Sequence, residues 1–339
     1  MKIVAFLDNI FPKESLLGLL TIAGNSAERI DFIFISPETN RSIPFNENFL
    51  GTCNYVLRKS RGATLRHILT ADIVIGMPWT FAPLRILCRL GLLGFLPLYL
   101  GPGKVTKAIG YYKHPEAGHF NQLKTFLKFI ALNSYYLAND ESDRVYTAAA
   151  LGYPLGRIIV SKLPKYFYIN EKLSCDSRKD RNVGILFAPT HRWSKKLPPL
   201  TEMLTKPLKL VKHSSDDVSI FHSKHPETPS ILLDNSVVDF DGEWSYVDIL
   251  VTDYSSIGDD FLNSGGKHVV YFMPDRIEFE ENQGKGIFFD DSLSRGHVCV
   301  TEVELFKKLT QLVDKNVQGE LKDRFIEPNY FTKILNSRL

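Results

Sequence analysis

Short apolar runs that stop on polar residues, one after another along the whole chain, constrain this sequence more than any other feature. KIVAFL (2–7), RIDFIFIS (29–36), ADIVIGMP (71–78), SYYLANDE (134–141) and RIIVSK (157–162) form a first series. These runs have the length of buried strands and are too short for buried helices. Helical stretches separate some of them: ESLLGLLTIAGNS between the first two, and VYTAAALGYP, which stops at Gly152 and Pro154. After a polar stretch, NEKLSCDSRKDRN (170–182), a second series follows: VGILFAPT (183–190), VSIFHSKHP (218–226), YVDILVTDYSS (246–256), KHVVYFMPD (267–275) and HVCVT (297–301). Strands alternating with helices predict open parallel sheets covered on both faces. The polar stretch predicts a linker between two such units.

A chain of 339 residues, 44% apolar and 23% charged, is long enough for two cores. The expected division is 1–165, a linker over 166–182, 183–320, and a final segment, 321–339, packing back on the first domain. Four cysteines, Cys53, Cys88, Cys175 and Cys299, form no C-x-x-C pair. They read as free thiols of a reducing compartment. The opening MKIVAFLDNIF reads as a strand and not as a signal peptide. No run of 18 apolar residues occurs, so no membrane-spanning helix is expected. The expected location is the cytoplasm, with at most peripheral contact with the inner face of the cell membrane.

Charge is unevenly spread. Residues 1–170 carry 19 Lys+Arg against 11 Asp+Glu, a balance of +8; residues 171–339 carry 22 against 27, a balance of −5. The basic half suits an anionic partner, or is simply a solvated face. A nucleic-acid partner is not expected, because the positive charge is not concentrated among aromatics. No His/Cys/Asp cluster has metal-ligand spacing, so neither a metal nor another cofactor is expected. The apolar run 90–100, inside PLRILCRLGLLGFLPLYLGPG, reads as a buried helix or as an interfacial patch with Arg85 and Arg89 at the headgroups.

In the second series three strands end on ligand-capable residues: Thr190-His191-Arg192, Ser223-Lys224-His225-Pro226 and Asp253-Tyr254-Ser255-Ser256. Parallel strands share a C-terminal edge, and ligands of such sheets bind beyond it. The chemistry suits a phosphate ester. Arg192 and Lys224 are cationic donors, and His225 can donate to a phosphoryl oxygen. Ser255 and Ser256 offer hydroxyls at a helix N-terminus, or serve only as an N-cap. Asp253, an anion, is expected to orient backbone or to accept from a sugar or base.

The ordered set Ala188-Pro189-Thr190-His191-Arg192, Lys224-His225-Pro226, Thr252-Asp253-Tyr254-Ser255-Ser256 with Asp260-Phe261, Lys267-His268-Val269-Val270-Tyr271, and Lys285-Gly286-Ile287-Phe288-Phe289-Asp290 resembles the CDP-glycerol glycerophosphotransferase family of teichoic acid synthesis. The resemblance covers about 183–291. It implies a GT-B architecture, two Rossmann-like domains facing across a cleft. It also implies metal-independent transfer of a polyol phosphate from a CDP-alcohol with release of CMP. By the same resemblance His225, Ser255 and Ser256 hold the donor pyrophosphate, with Thr190, Arg192, Lys224, Asp253 and Lys285 in the donor site.

The first half departs from the family pattern W-H-G-T-P-L-K-x-I-G. The matching segment, Tyr99-Leu100-Gly101-Pro102-Gly103-Lys104-Val105-Thr106-Lys107-Ala108-Ile109-Gly110, has no His before its first glycine. Candidates for the base are therefore His119 and His114, then Glu116 and Asp8. A His needs little tuning to act near neutral pH, whereas a carboxylate needs desolvation. The expected partners are a CDP-polyol donor, or a CMP-sugar donor, and an anionic lipid-linked or polymeric glycan acceptor. The alternative activity is a CMP-sugar glycosyltransferase resembling bacterial sialyltransferases, which also pair an HP motif with a Ser-Ser motif. A third reading is a non-catalytic binder that keeps the donor cradle and lacks the base.

Overall fold

A computed structural model describes residues 1–7, 13–36, 51–57, 60–76, 87, 90–100, 135–151, 153–174, 182–189, 210–211, 217–223, 237–283, 289–316 and 326–337. These residues divide into two compact units, one holding 1–168 with 326–337 and the other holding 169–316.

The first unit contains β1 (Lys2–Phe6), α1 (Lys13–Gly24), β2 (Asp31–Ser36), β3 (Cys53–Leu57), α2 (Arg61–Leu69), β4 (Ile73–Ile75), β5 (Leu96–Tyr99), β6 (Tyr135–Ala138), α3 (Glu141–Leu151), β7 (Ile158–Val160) and the start of α4 (Pro164–Leu173). Among the described residues its sheet has the order β3-β2-β1-β4-β5-β6-β7, with every neighbouring pair parallel. Period-2 alternation sends Ile3, Ala5, Phe32 and Phe34 into one core and Val4, Phe6, Ile33 and Ile35 into the other. Burial on both faces is why these strands read as continuous apolar runs.

The second unit contains β8 (Val183–Ala188), β9 (Val218–His222), β10 (Val237–Asp239), β11 (Ile249–Thr252), α5 (Ile257–Asn263), β12 (His268–Phe272), α6 (Arg276–Gln283), α7 (Phe289–Ser294), β13 (His297–Cys299) and α8 (Glu302–Asn316). Its sheet has the order β10-β9-β8-β11-β12-β13, again parallel throughout. In α8, Leu305, Leu309, Leu312 and Val313 recur at helical spacing and pack on Ile185, Val251 and Val270. The last helix, α9 (Tyr330–Asn336), buries Tyr330, Phe331 and Ile334 in the core of the first unit.

Two expectations change. The apolar run 90–100 is neither a buried helix nor a continuous patch: it ends in β5, paired on both sides to β4 and β6. Gly91, at φ +72°, Gly94 and Pro97 interrupt any helix there. Leu90 and Leu92 are left exposed, while Phe95, Leu96 and Leu98 are buried. Arg85 and Arg89 lie outside the described residues. The stretch expected as a linker, 166–182, begins as helix through Leu173, with Tyr166, Phe167, Ile169 and Leu173 buried.

Cys53 and Cys299 are free thiols. Burial pushes Cys53 up to about 12 and Cys299 up to about 11, so both stay protonated and unreactive at neutral pH.

Gly184, inside β8, meets the loop before β11 at close range. Its N–H donates to the Asp248 carboxylate (2.9 Å), and its carbonyl accepts from the Asp248 N–H (2.9 Å). A Cβ there would lie 1.6 Å from the Tyr246 carbonyl oxygen, which is backbone and cannot swing aside. Gly184→Ala is expected to destabilise the protein by about 3 kcal/mol, the upper end for overpacking. Urea unfolding of the variant measures this. An unchanged midpoint means that the Tyr246 loop does not sit against β8.

Candidate functional site

In the second sheet the chain runs from β8 outward through β9 to β10, then returns to the other side of β8 to lay down β11. The reversal makes the C-terminal ends of β8 and β11 the switch point, where an open α/β sheet leaves a crevice for a ligand. In register, Thr252 at the end of β11 stands opposite Ala188 at the end of β8. The Thr252 hydroxyl, fully buried, donates to the Ala188 carbonyl at 2.6 Å. This side-chain bond ties the two strand ends together.

The turn that follows divides into an inner and an outer half. Asp253 and Tyr254 are each 1% exposed. Ser255 and Ser256 are half-buried at the entry to α5. The Ser255 Oγ accepts from the Ile257 N–H at 3.3 Å, a local capping bond. The Ser256 side chain makes no cap bond. One serine therefore shapes the turn while the other keeps its hydroxyl clear of the cap. Asp253, being buried, is suited to holding the turn from inside.

Buried contacts hold α5 and the turn before it. Asp259, fully buried, is paired with Arg295 at 3.1 Å, and Arg295 also donates to the Asn263 side chain at 3.0 Å. Tyr271 of β12 lies between two glycines: a Cβ on Gly258 would come within 2.6 Å of its hydroxyl, and one on Gly296 within 2.6 Å of its ring. Burial, together with the Asp259 carboxylate, drives the Tyr271 phenol well above its usual range. Tyr254 donates to Asp275 at 3.0 Å and stacks on Phe279 of α6.

Of the residues expected in a donor site, Asp253, Ser255 and Ser256 meet at this turn. Thr190, Arg192, Lys224, His225 and Lys285 lie outside the described residues, as do Asp8, His114, Glu116 and His119. Chain neighbours of three of them are placed. Pro189, before Thr190, follows the end of β8. Ser223, before Lys224, donates its N–H to the Phe187 carbonyl (2.8 Å), so β9 ends level with β8. Leu7, before Asp8, closes β1 beside β4, where the first sheet has its own reversal. His222, the last residue of β9, is buried and stacks on Phe187 with ring centroids 5.5 Å apart. The strand thus ends on His222, three positions before His225. Among the described residues no group of three His, Cys, Asp or Glu side chains is arranged to hold a metal ion.

A family model described as CDP-Glycerol:Poly(glycerophosphate) glycerophosphotransferase matches residues 107–332. The chain belongs to this family. Solved structures similar to it include the wall teichoic acid polymerase TagF, 15% identical, with 99% of this chain and 88% of that one covered at a TM-score of 0.62. A CDPG-soaked variant of TagF is 14% identical, with 99% and 87% covered at 0.63. The UDP-GlcNAc 2-epimerase from Methanocaldococcus jannaschii is 11% identical, with 99% of each chain covered at 0.53. At these identities the likenesses carry the fold alone: two Rossmann-like parallel units of the GT-B class. No curated protein sequence matches the chain. Family membership makes the chain a transferase of the glycerophosphotransferase type, and the switch-point turn lies within the matched residues.

Sequence reasoning missed the groups that hold this turn. Arg295 reaches Asp259 from 36 residues away, and Asp275 reaches Tyr254 from 21 residues away. Arg295→Ala is expected to cost about 3 kcal/mol of stability, because it strands a buried carboxylate; the half-exposed Arg295 keeps the figure at the low end for such pairs. Chemical denaturation measures this. A loss below about 1 kcal/mol would show that other groups carry the Asp259 charge.

Proposed function

We propose that the chain transfers a polyol phosphate, glycerol or ribitol phosphate, from a CDP-alcohol to a hydroxyl of a lipid-linked or polymeric acceptor in teichoic acid or capsule synthesis. The observation that carries this reading is the Thr252–Ser256 motif turn, with its two half-buried serines, at the switch point of a parallel sheet inside a region that matches the glycerophosphotransferase family. TagF, which shares the fold, is a wall teichoic acid polymerase.

In the proposed reaction the acceptor oxygen attacks the phosphorus that carries the polyol. The bond from that phosphorus to the oxygen bridging to CMP breaks, and CMP leaves with the electron pair. A base takes the acceptor proton. Binding both substrates in line converts a bimolecular reaction into a positioned one. Donors aimed at the leaving oxygens stabilise the charge as it develops. In this reading His225, Ser255 and Ser256 contact the pyrophosphate. Thr190, Arg192, Lys224 and Lys285 complete the donor site, and Asp253 supports it from within. The base comes from the first domain, with His119 and His114 ranked above Glu116 and Asp8. The basic first half, with its balance of +8, would take the anionic acceptor.

Incubation with CDP-glycerol, CDP-ribitol or CMP-sialic acid, with detection of released CMP, tests the donor class. Release from CMP-sialic acid alone would replace this reading with a CMP-sugar glycosyltransferase. His225→Ala is expected to cut turnover about 10²-fold, the scale of one lost charge-stabilising donor. Ser255→Ala and Ser256→Ala are expected to raise the donor KM. Normal kinetics in all three variants would make the strand-end motifs structural.

No helix among the described residues is long and apolar enough to cross a membrane. Any membrane attachment is proposed to be peripheral and electrostatic, carried by the basic half. A salt wash is then expected to release the protein from anionic vesicles, since exposed charges are screened within about 10 Å at 0.1 M salt. Release by detergent alone would assign binding to apolar side chains, Leu90 and Leu92 among them.

A further inference from the structure

The turn that bears Ser255 and Ser256 is locked from below by a residue that is closed off from solvent. Tyr254 is 1% exposed, and its ring lies face to face with Phe279, centroids 3.5 Å apart and planes 7° apart. Phe279 is itself buried. The Tyr254 hydroxyl donates to the Asp275 carboxylate at 3.0 Å, and Asp275 is 7% exposed. Asp275 also holds α6 through its backbone: its carbonyl accepts from the Phe279 N–H at 2.9 Å. Two residues before Tyr254 the Thr252 hydroxyl grips the end of β8. Thr252 and Tyr254 thus fasten the turn to both neighbours in the sheet, β8 on one side and the β12–α6 junction on the other. Lys285, assigned above to the donor, follows α6 by two positions in the sequence.

We propose that Tyr254 is a positioning residue for donor binding: through Asp275 and Phe279 it sets where Ser255 and Ser256 stand relative to the segment that leads to Lys285. The proposal rests on the donor-site reading above. A hydrogen bond to a carboxylate and a face-to-face stack are both directional, so together they fix the turn in position and in rotation. Local capping by Ser255 fixes only the shape of the turn. The lock contributes to binding by sparing the donor the ordering of two serines, and it leaves the chemical step alone. Its loss therefore appears in KM and not in kcat.

The test is a double-mutant cycle on the full chain, with CMP release from CDP-glycerol as the readout. Tyr254→Phe keeps the stack and removes the hydroxyl. It is expected to raise the donor KM about tenfold, the scale of a hydrogen bond to a charged group, with kcat within about twofold. Asp275→Ala removes the acceptor instead, and it is expected to give the same shift even if Tyr254→Phe does not fold. Combined with Ser255→Ala and Ser256→Ala, either substitution is expected to add less than about twofold, because no positioned hydroxyls remain. A donor KM that responds to the serine variants but not to Tyr254→Phe or Asp275→Ala overturns the proposal alone. So does the same tenfold factor in both backgrounds, which would mean that the lock acts on stability. A donor KM indifferent to the serine variants overturns the donor-site reading and the proposal with it.

Discussion

Val183–Ala188 and Ile249–Thr252 run parallel and in register, so both strands reach the same edge at the same level. The candidate site depends on that pairing. It brings together two chain segments more than 60 residues apart and aims both at one crevice. Thr252 then finds the Ala188 carbonyl within hydrogen-bond reach, and the chain must turn immediately afterwards into α5. Slipping β11 by one residue would turn Val251 out of the core that it shares with Ile185 and Val270. Hydrophobic register thus sets the position of the half-buried serines that follow.

The backbone comes unusually close to its neighbours around this pairing. Gly184, Gly258 and Gly296 each sit where a Cβ would collide with a backbone carbonyl or with the Tyr271 ring. A tyrosine held between glycines has little freedom to shift. With Asp259 and Arg295 paired beside it, α5 is fixed by volume as well as by charge. The proposed donor serines therefore stand on a short helix with very little slack, the arrangement that a preorganised site requires.

The sequence shows the sheets well and their margins poorly. The apolar runs IVAFL (3–7) and VGILFA (183–188) are buried on both faces, so composition alone marks them. β3 (CNYVL) and β10 (VVD) are edge strands, and neither stands out as an apolar run. The run 90–100 misleads because leucine serves helix and strand alike; its glycines and Pro97 are the signal that decides. At the site, Ser255 and Ser256 are legible from their place after a strand. The grip of Thr252 on Ala188, the Asp259–Arg295 pair and the contacts of Tyr254 are not, because each joins residues 21 to 64 positions apart. Such partners are set by topology, which no local pattern encodes.

The closing helix of the chain has a consequence for the order of events during synthesis. Tyr330, Phe331 and Ile334 belong to the same core as Ile3, Leu19 and Phe32, and the Ser26 hydroxyl donates to the Pro328 carbonyl across 302 positions. A ribosome makes the strands of the first unit early and the helix that completes their core last, after every residue of the second unit. Until then the first unit displays an apolar surface with nothing of its own to cover it. The second unit, contiguous from β8 to α8, has no such wait. Domains emerging from a ribosome generally fold N-terminal first. In this chain the core of the first unit is completed only after the second unit has been made.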